Sequence, residues 1–171
     1  MDVFAEQLVK KNKTSADYIK MGGIAAGAVV LASVFMFLAM TVLFSFVIPA
    51  VLVLFLGVWL IGNTNVEYEY IITNNEMDID KIIGKRKRKR MITVDLSKGE
   101  DFAVYPPNEA VRADATVHAS SGLETDAHYL VVNHQDYGTV NVIFNPNEKV
   151  REAIMQELPN SLRIKIKHNV K

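Results

Sequence analysis

From Met21 to Gly62 the chain runs for 42 residues without one charged side chain, and this run limits what the chain can fold into more than any other feature. Thirty-three of the 42 are hydrophobic; the rest are six Gly or Pro and three Ser or Thr. As one helix the run would be about 63 Å long, roughly twice the hydrocarbon thickness of a bilayer. Two antiparallel spans of about 19 to 20 residues with a tight turn fit better. The turn is expected between Thr41 and Ile48, with Pro49 in the first turn of the second helix. A secretory signal has an apolar core of only about 7 to 15 residues, so the segment is expected to remain in the mature protein.

The flanks set the expected orientation. Thr14 or Ser15 caps the first helix, and Asp17 follows Thr14 at capping-box distance. Tyr18, Lys20 and, at the far exit, Trp59 suit the headgroup interface. Lys10, Lys11, Lys13 and Lys20 precede the first span and a dense basic run follows the second, while the turn between them is uncharged. The expectation is a two-pass protein of the cell membrane with both termini cytoplasmic. Neither span carries a charged or amide side chain, which argues against a transporter or channel. Gly22, Gly23, Ala26, Gly27 and Ala28 form a small-residue face, for packing of the hairpin on itself or for oligomerisation. Ahead of the spans, Phe4, Leu8 and Val9 beside the lysines suggest a short amphipathic helix on the inner leaflet, or a frayed tail.

Outside the run the composition is that of a soluble domain. Half of the 171 residues are hydrophobic, so the other 129 hold about 52, roughly 40%. The expected organisation is an N-terminal arm at 1–20, the hairpin at 21–62, a cytosolic domain at 63–160 and a basic tail at 161–171. There is no cysteine, hence no disulfide framework, thiolate metal site or cysteine nucleophile.

From Asn63 the hydrophobic period changes from helical to alternating. Strands are expected at Val66 to Thr73, Glu76 to Ile83 and Arg86 to Leu96, with turns at Asn74–Asn75 and Gly84–Lys85. Ser97 to Ala113, with Gly99, Pro106 and Pro107, reads as loop. Thr116 to Ala119, His128 to Asn133 and Thr139 to Phe144 read as further strands, the last two joined through Asp136 and Gly138. Asn145, Pro146 and Glu148 read as a helix start; Val150, Ile154 and Leu158 then recur every four residues until Pro159. Leu162, Ile164 and Ile166 alternate with Arg163, Lys165 and Lys167 as in a basic strand, by default one that extends the sheet.

The succession YEYIIT, turn, EMDIDKII, basic turn, MITVDL, later hairpins and the helix PNEKVREAIMQEL resembles bacterial pleckstrin-homology-like (PH-like) domains attached to membrane spans. The run NVEYEYIITNNEMDIDKIIGKRKRKRMITVD also resembles short two-pass bacterial membrane proteins of Firmicutes type, of unknown function. The resemblance implies an α+β fold: a two-helix transmembrane hairpin, then a PH-like antiparallel β sandwich or barrel closed by one C-terminal α-helix. It implies no established activity, since that fold hosts lipid, peptide and structural roles.

Lys85, Arg86, Lys87, Arg88, Lys89 and Arg90 carry +6, against 9 basic and 16 acidic residues in the rest of Asn63–Lys171. With two-residue turns at both hairpins, Asp80 falls beside Glu69 and Lys89, and one face carries Glu67, Glu69, Asp78 and Asp80 near Lys87 and Lys89. Part of the run is then a self-neutralising solvated face. The Gly84 turn returns toward the membrane, and Lys85, Arg86, Lys87, Arg88, Lys89 and Arg90 are the candidate lipid- or partner-binding residues. Nucleic acid is not an expected partner, because no stacking aromatics interleave the basic residues.

No catalytic constellation is visible. His118, His128, His134 and His168 have no metal-ligand spacing and read as ordinary strand histidines, and neither a nucleophile elbow nor a phosphate loop occurs. No cofactor is expected. The sequence supports a non-enzymatic, membrane-tethered interaction module that binds anionic phospholipid headgroups or a protein; the alternative is a structural subunit of a membrane-protein assembly.

Overall fold

The computed structural model describes residues 3–106, 111–123 and 126–169. Pro107 of the expected loop and residues 170–171 of the basic tail lie outside them. The chain divides into two compact units.

The first unit is the apolar hairpin with Asn63–Val66 and the Ile83–Lys85 turn. Helix α1 spans Ser15–Thr41 and helix α2 spans Val47–Gly62, with a short 3-10 turn at Phe44–Phe46 between them. The break falls inside the expected Thr41–Ile48 window. The two apolar stretches, 27 and 19 residues, are long and apolar enough to cross a membrane. Thr14 is the N-cap, and the capping box closes: its N–H donates to the Asp17 carboxylate at 3.0 Å, and the Asp17 N–H donates to its hydroxyl at 3.4 Å. Ser33 and Thr41 satisfy their hydroxyls on the carbonyls of Val29 and Phe37 one turn back.

The helices approach each other over small residues. A Cβ placed on Gly57 would lie 2.8 Å from the Ala28 Cβ, and Ala32, Ala39 and Ala50 are buried with it. Phe35 and Phe46 stack at 6.4 Å. The small-residue face of α1 therefore divides: Ala28 packs on α2, whereas Gly22, Gly23 and Gly27 have open space where a Cβ would stand.

The second unit is β-rich and begins before the hairpin. Residues Phe4–Lys10 form strand β1, not an amphipathic helix or a frayed tail, and pair antiparallel with β2 (Val66–Thr73) from Phe4 opposite Thr73 to Lys10 opposite Glu67. Strands β3 (Glu76–Ile83) and β4 (Lys87–Asp95) complete a sheet of order β1-β2-β3-β4. The second sheet has order β5-β7-β8-β6, from β5 (Gly99–Val104), β6 (Ala115–His118), β7 (His128–His134) and β8 (Gly138–Phe144). Two departures from the expected pattern stand out here. Gly99–Val104 is a strand where a loop is expected, and β6 runs parallel to β8.

The two sheets stay separate and do not close into a barrel. Their side chains share one core: Tyr70 sits edge-on to Phe144 at 5.5 Å, with Ile72, Met77, Ile79, Leu130, Val132 and Val142 fully buried. The opposite face of β7 is covered as well, because Tyr105 and Val111 pack on Tyr129, Val131 and Ile143. Two helices follow instead of one. Helix α3 (Glu148–Glu157) buries Val150 and Ile154 and is capped by Asn147, whose side chain accepts from the Val150 N–H at 2.8 Å. The expected cap, Asn145, instead ties the loop: its Oδ1 accepts from Ser121 N–H at 2.7 Å and its Nδ2 donates to the Leu123 carbonyl at 3.2 Å. Beyond Pro159, residues Asn160–Asn169 form helix α4 in place of the expected strand. Its first turn closes through the Arg163 N–H on the Pro159 carbonyl, and it buries Leu162.

Two substitutions test this packing in the full chain held in detergent. Gly57→Val should lower stability by about 1–3 kcal/mol through overpacking, and adding Ala28→Gly should recover part of the loss in thermal unfolding. Tyr70 donates to the Ala119 carbonyl at 2.5 Å and accepts from the Asn145 N–H at 3.3 Å. Tyr70→Phe leaves both buried partners unsatisfied, for an expected loss of about 1–3 kcal/mol in denaturant titration.

Candidate functional site

The basic run starts in a turn that only glycine fits well. Gly84 has φ +59, and a Cβ there would meet Asn63 Oδ1 at 3.0 Å and the Gly62 carbonyl at 3.2 Å. Its N–H donates to the Asn65 carbonyl at 2.8 Å. Lys85, with φ +57, follows in the same turn and is exposed. The turn thus lies against the end of α2.

Strand β4 then divides the run by alternation. Arg88 reaches the Glu69 carboxylate at 2.7 and 2.9 Å and Asp80 at 3.9 Å. Arg90 pairs with Asp80 and Asp78 and donates to the Thr93 hydroxyl at 3.0 Å. Thr93 in turn donates to Asp78 at 2.6 Å. Glu69 and Asp80 are 5% and 3% exposed, and removing either arginine would leave a buried carboxylate without its partner. The hydrogen bond to Asp80 holds Arg90 still more firmly protonated than an ordinary guanidinium.

These partners correct the expected register, in which Lys87 and Lys89 faced the carboxylates. Three residues, Gly84 to Arg86, separate β3 from β4 rather than two. A slip of one residue turns a whole strand over. Alternation is also interrupted further along, since Arg90 and Thr93, three positions apart, both reach Asp78. Lys87 and Lys89 therefore alternate with the two arginines and stay exposed, as do Lys85 and Arg86.

A second polar region, which the sequence did not signal, surrounds Gln7 of β1. Its Nε2 donates to the Asn145 carbonyl at 2.9 Å and its Oε1 accepts from the Asn147 N–H at 2.7 Å. With Asn145 itself tied on both amide atoms, these side chains stitch β1 to the segment that leads into α3. His128 stands close by, stacked on Phe102 at 5.5 Å with Nδ1 3.4 Å from the Asp126 carbonyl. Burial first, and Arg151 after it, hold its imidazole below the usual value. His134 at the other end of β7 accepts from the Asp136 N–H at 3.1 Å. Among the described residues no group of three or more His, Asp or Glu is placed to hold a metal ion.

Comparison with known proteins gives one match. Residues 1–164 match the family described as Bacterial PH-like domain (DUF6106). Neither a curated protein nor a solved structure shows significant similarity to the chain. The family match takes in strands β1 to β8, both apolar helices and α3, so the chain belongs to this family of bacterial PH-like domains, whose function is unknown.

Proposed function

We propose that the protein is a two-pass cell-membrane protein whose PH-like unit is a non-catalytic interaction module, engaging anionic phospholipid headgroups through Lys85, Lys87 and Lys89. The observation that carries this reading is the Gly84–Lys85 turn lying against the end of α2. The end of a membrane helix sits among headgroups, and each basic residue there contributes on the order of 1 kcal/mol with an anionic leaflet. Arg88 and Arg90 are committed to buried carboxylates and serve the fold. Arg86, between the two sets, belongs to the same exposed strip.

The orientation reading is that both ends of the hairpin face the cytoplasm. It is supported by the lysines on its two flanks and by the pairing of β1 with β2, which requires the segments on either side of the hairpin to occupy one compartment. A second reading, a structural subunit that docks another membrane protein, is favoured by the open space beside Gly22, Gly23 and Gly27. Crosslinking in native membranes separates the two, since that reading requires one stoichiometric protein partner.

The lipid reading is tested through Trp59, the single tryptophan, one turn before the end of α2. In nanodiscs, brominated phosphatidylglycerol should quench Trp59 more strongly than brominated phosphatidylcholine. The Lys85→Ala/Lys87→Ala/Lys89→Ala chain should lose that preference, while Arg88→Gln should lower stability and keep it. An unchanged preference in the triple variant rejects the site. Because the chain has no cysteine, single cysteines report orientation directly. With an impermeant maleimide on intact cells, Ser45→Cys should label and Lys149→Cys should label only after lysis; the reverse pattern rejects the orientation.

A further inference from the structure

The β-rich unit carries an open cleft of about 470 Å³ between β1, the end of β5, the Ser121 loop and the start of α3. That size is within the ordinary range of small-molecule sites. Its walls are fixed in advance. Gln7 is bonded through both of its amide atoms, Asn145 likewise, and Asn147 spends its Oδ1 on the α3 cap. Groups already bonded to backbone cannot reorganise cheaply, so a ligand meets a preorganised frame.

At the edge of that frame stand two exposed, opposite charges. Arg151 and Asp126 both line the cleft, and among the described residues neither makes an ion pair. His128 lines the same cleft, with Nδ1 3.4 Å from the Asp126 carbonyl. Arg151 is the permanently charged cation among the lining residues. Val9, Val104 and Pro146 supply apolar wall. A guanidinium takes a carboxylate or phosphate in a forked pair, and a free carboxylate takes an ammonium.

We propose that this cleft binds a small zwitterion carrying a primary ammonium and an oxyanion, the oxyanion on Arg151 and the ammonium on Asp126. Phosphoethanolamine has this chemistry, whether as a free solute or as the headgroup of phosphatidylethanolamine. The site involves none of the basic residues of β4, so it stands or falls independently of the lipid reading given to Lys85, Lys87 and Lys89.

The test uses the full chain in uncharged maltoside micelles with labelled histidine, the His128 signal being assigned with His128→Gln. Titration with phosphoethanolamine should give a saturable shift of the His128 resonance, with a dissociation constant below about 1 mM. Arg151→Gln should weaken binding about tenfold or more. Asp126→Asn should reduce phosphoethanolamine to the affinity of inorganic phosphate while leaving phosphate itself unchanged. Absence of a saturable shift overturns the proposal. So does phosphate binding as tightly as phosphoethanolamine to the parent chain, or unchanged affinity in variants that keep the parent's thermal midpoint. Transfer to nanodiscs then identifies the source. A shift with phosphatidylethanolamine but not phosphatidylglycerol, without added solute, assigns the lipid headgroup; no shift in either assigns the free solute.

Discussion

Everything else in this chain depends on the backbone ladder between β1 and β2, which closes across 56 intervening residues, Lys11 to Val66. Neighbouring strands lie about 4.8 Å apart, so the chain leaves the sheet at Lys10 and returns at Glu67 beside its own point of departure. An insertion whose ends are that close must double back. Two antiparallel helices, whose axes pack about 8–10 Å apart, satisfy the condition with connectors of only four and three residues, Lys11–Thr14 and Asn63–Asn65. The apolar hairpin is thus an excursion within the PH-like unit rather than a leader placed before it.

The same sheet explains how a chain with balanced charge keeps acidic residues in its interior. Glu69 and Asp80 stand on central strands, where flanking side chains remove them from water, and unpaired they would be costly. Arg88 and Arg90 on the edge strand β4 extend over them while remaining about half exposed, so each pair is only partly desolvated. Arginine suits the position better than lysine, because its planar fork lets one cation serve two carboxylates at once. The basic run therefore divides its work: Arg88 and Arg90 neutralise the sheet, while the lysines and Arg86 stay exposed.

Much of this was legible from residues alone, and the failures have physical causes. The helix cap at Thr14, the strands Val66–Thr73 and Glu76–Ile83 and the apolar stripe of α3 are local signals, and they hold. Strand β1 was not legible because FAEQLVK fits a helical spacing as well as an alternating one, and its partner lies more than fifty residues away. Strand β5, GEDFAV, buries Phe102 alone among its six residues and so carries almost no periodic signal. In α4 the alternation of Leu162, Ile164 and Ile166 imitates a strand, yet Leu162 and Ile166 are also four apart and share one helical face. The exchange of Lys87 and Lys89 for Arg88 and Arg90 came from a single extra residue in a turn, a change too small for pattern to detect. Of the second polar region nothing was visible, because Gln7 and Asn145 are 138 positions apart.

The interrupted ladder also orders events during synthesis. Strand β1 leaves the ribosome before β2 and has no partner until both apolar helices and residues through Thr73 have followed. If only one helix entered the bilayer, β1 and β2 would be stranded in different compartments and the first sheet could not form. Pairing of β1 with β2 thus demands that the two apolar helices cross together or not at all, and a chain that failed this would be left with unpaired strand edges.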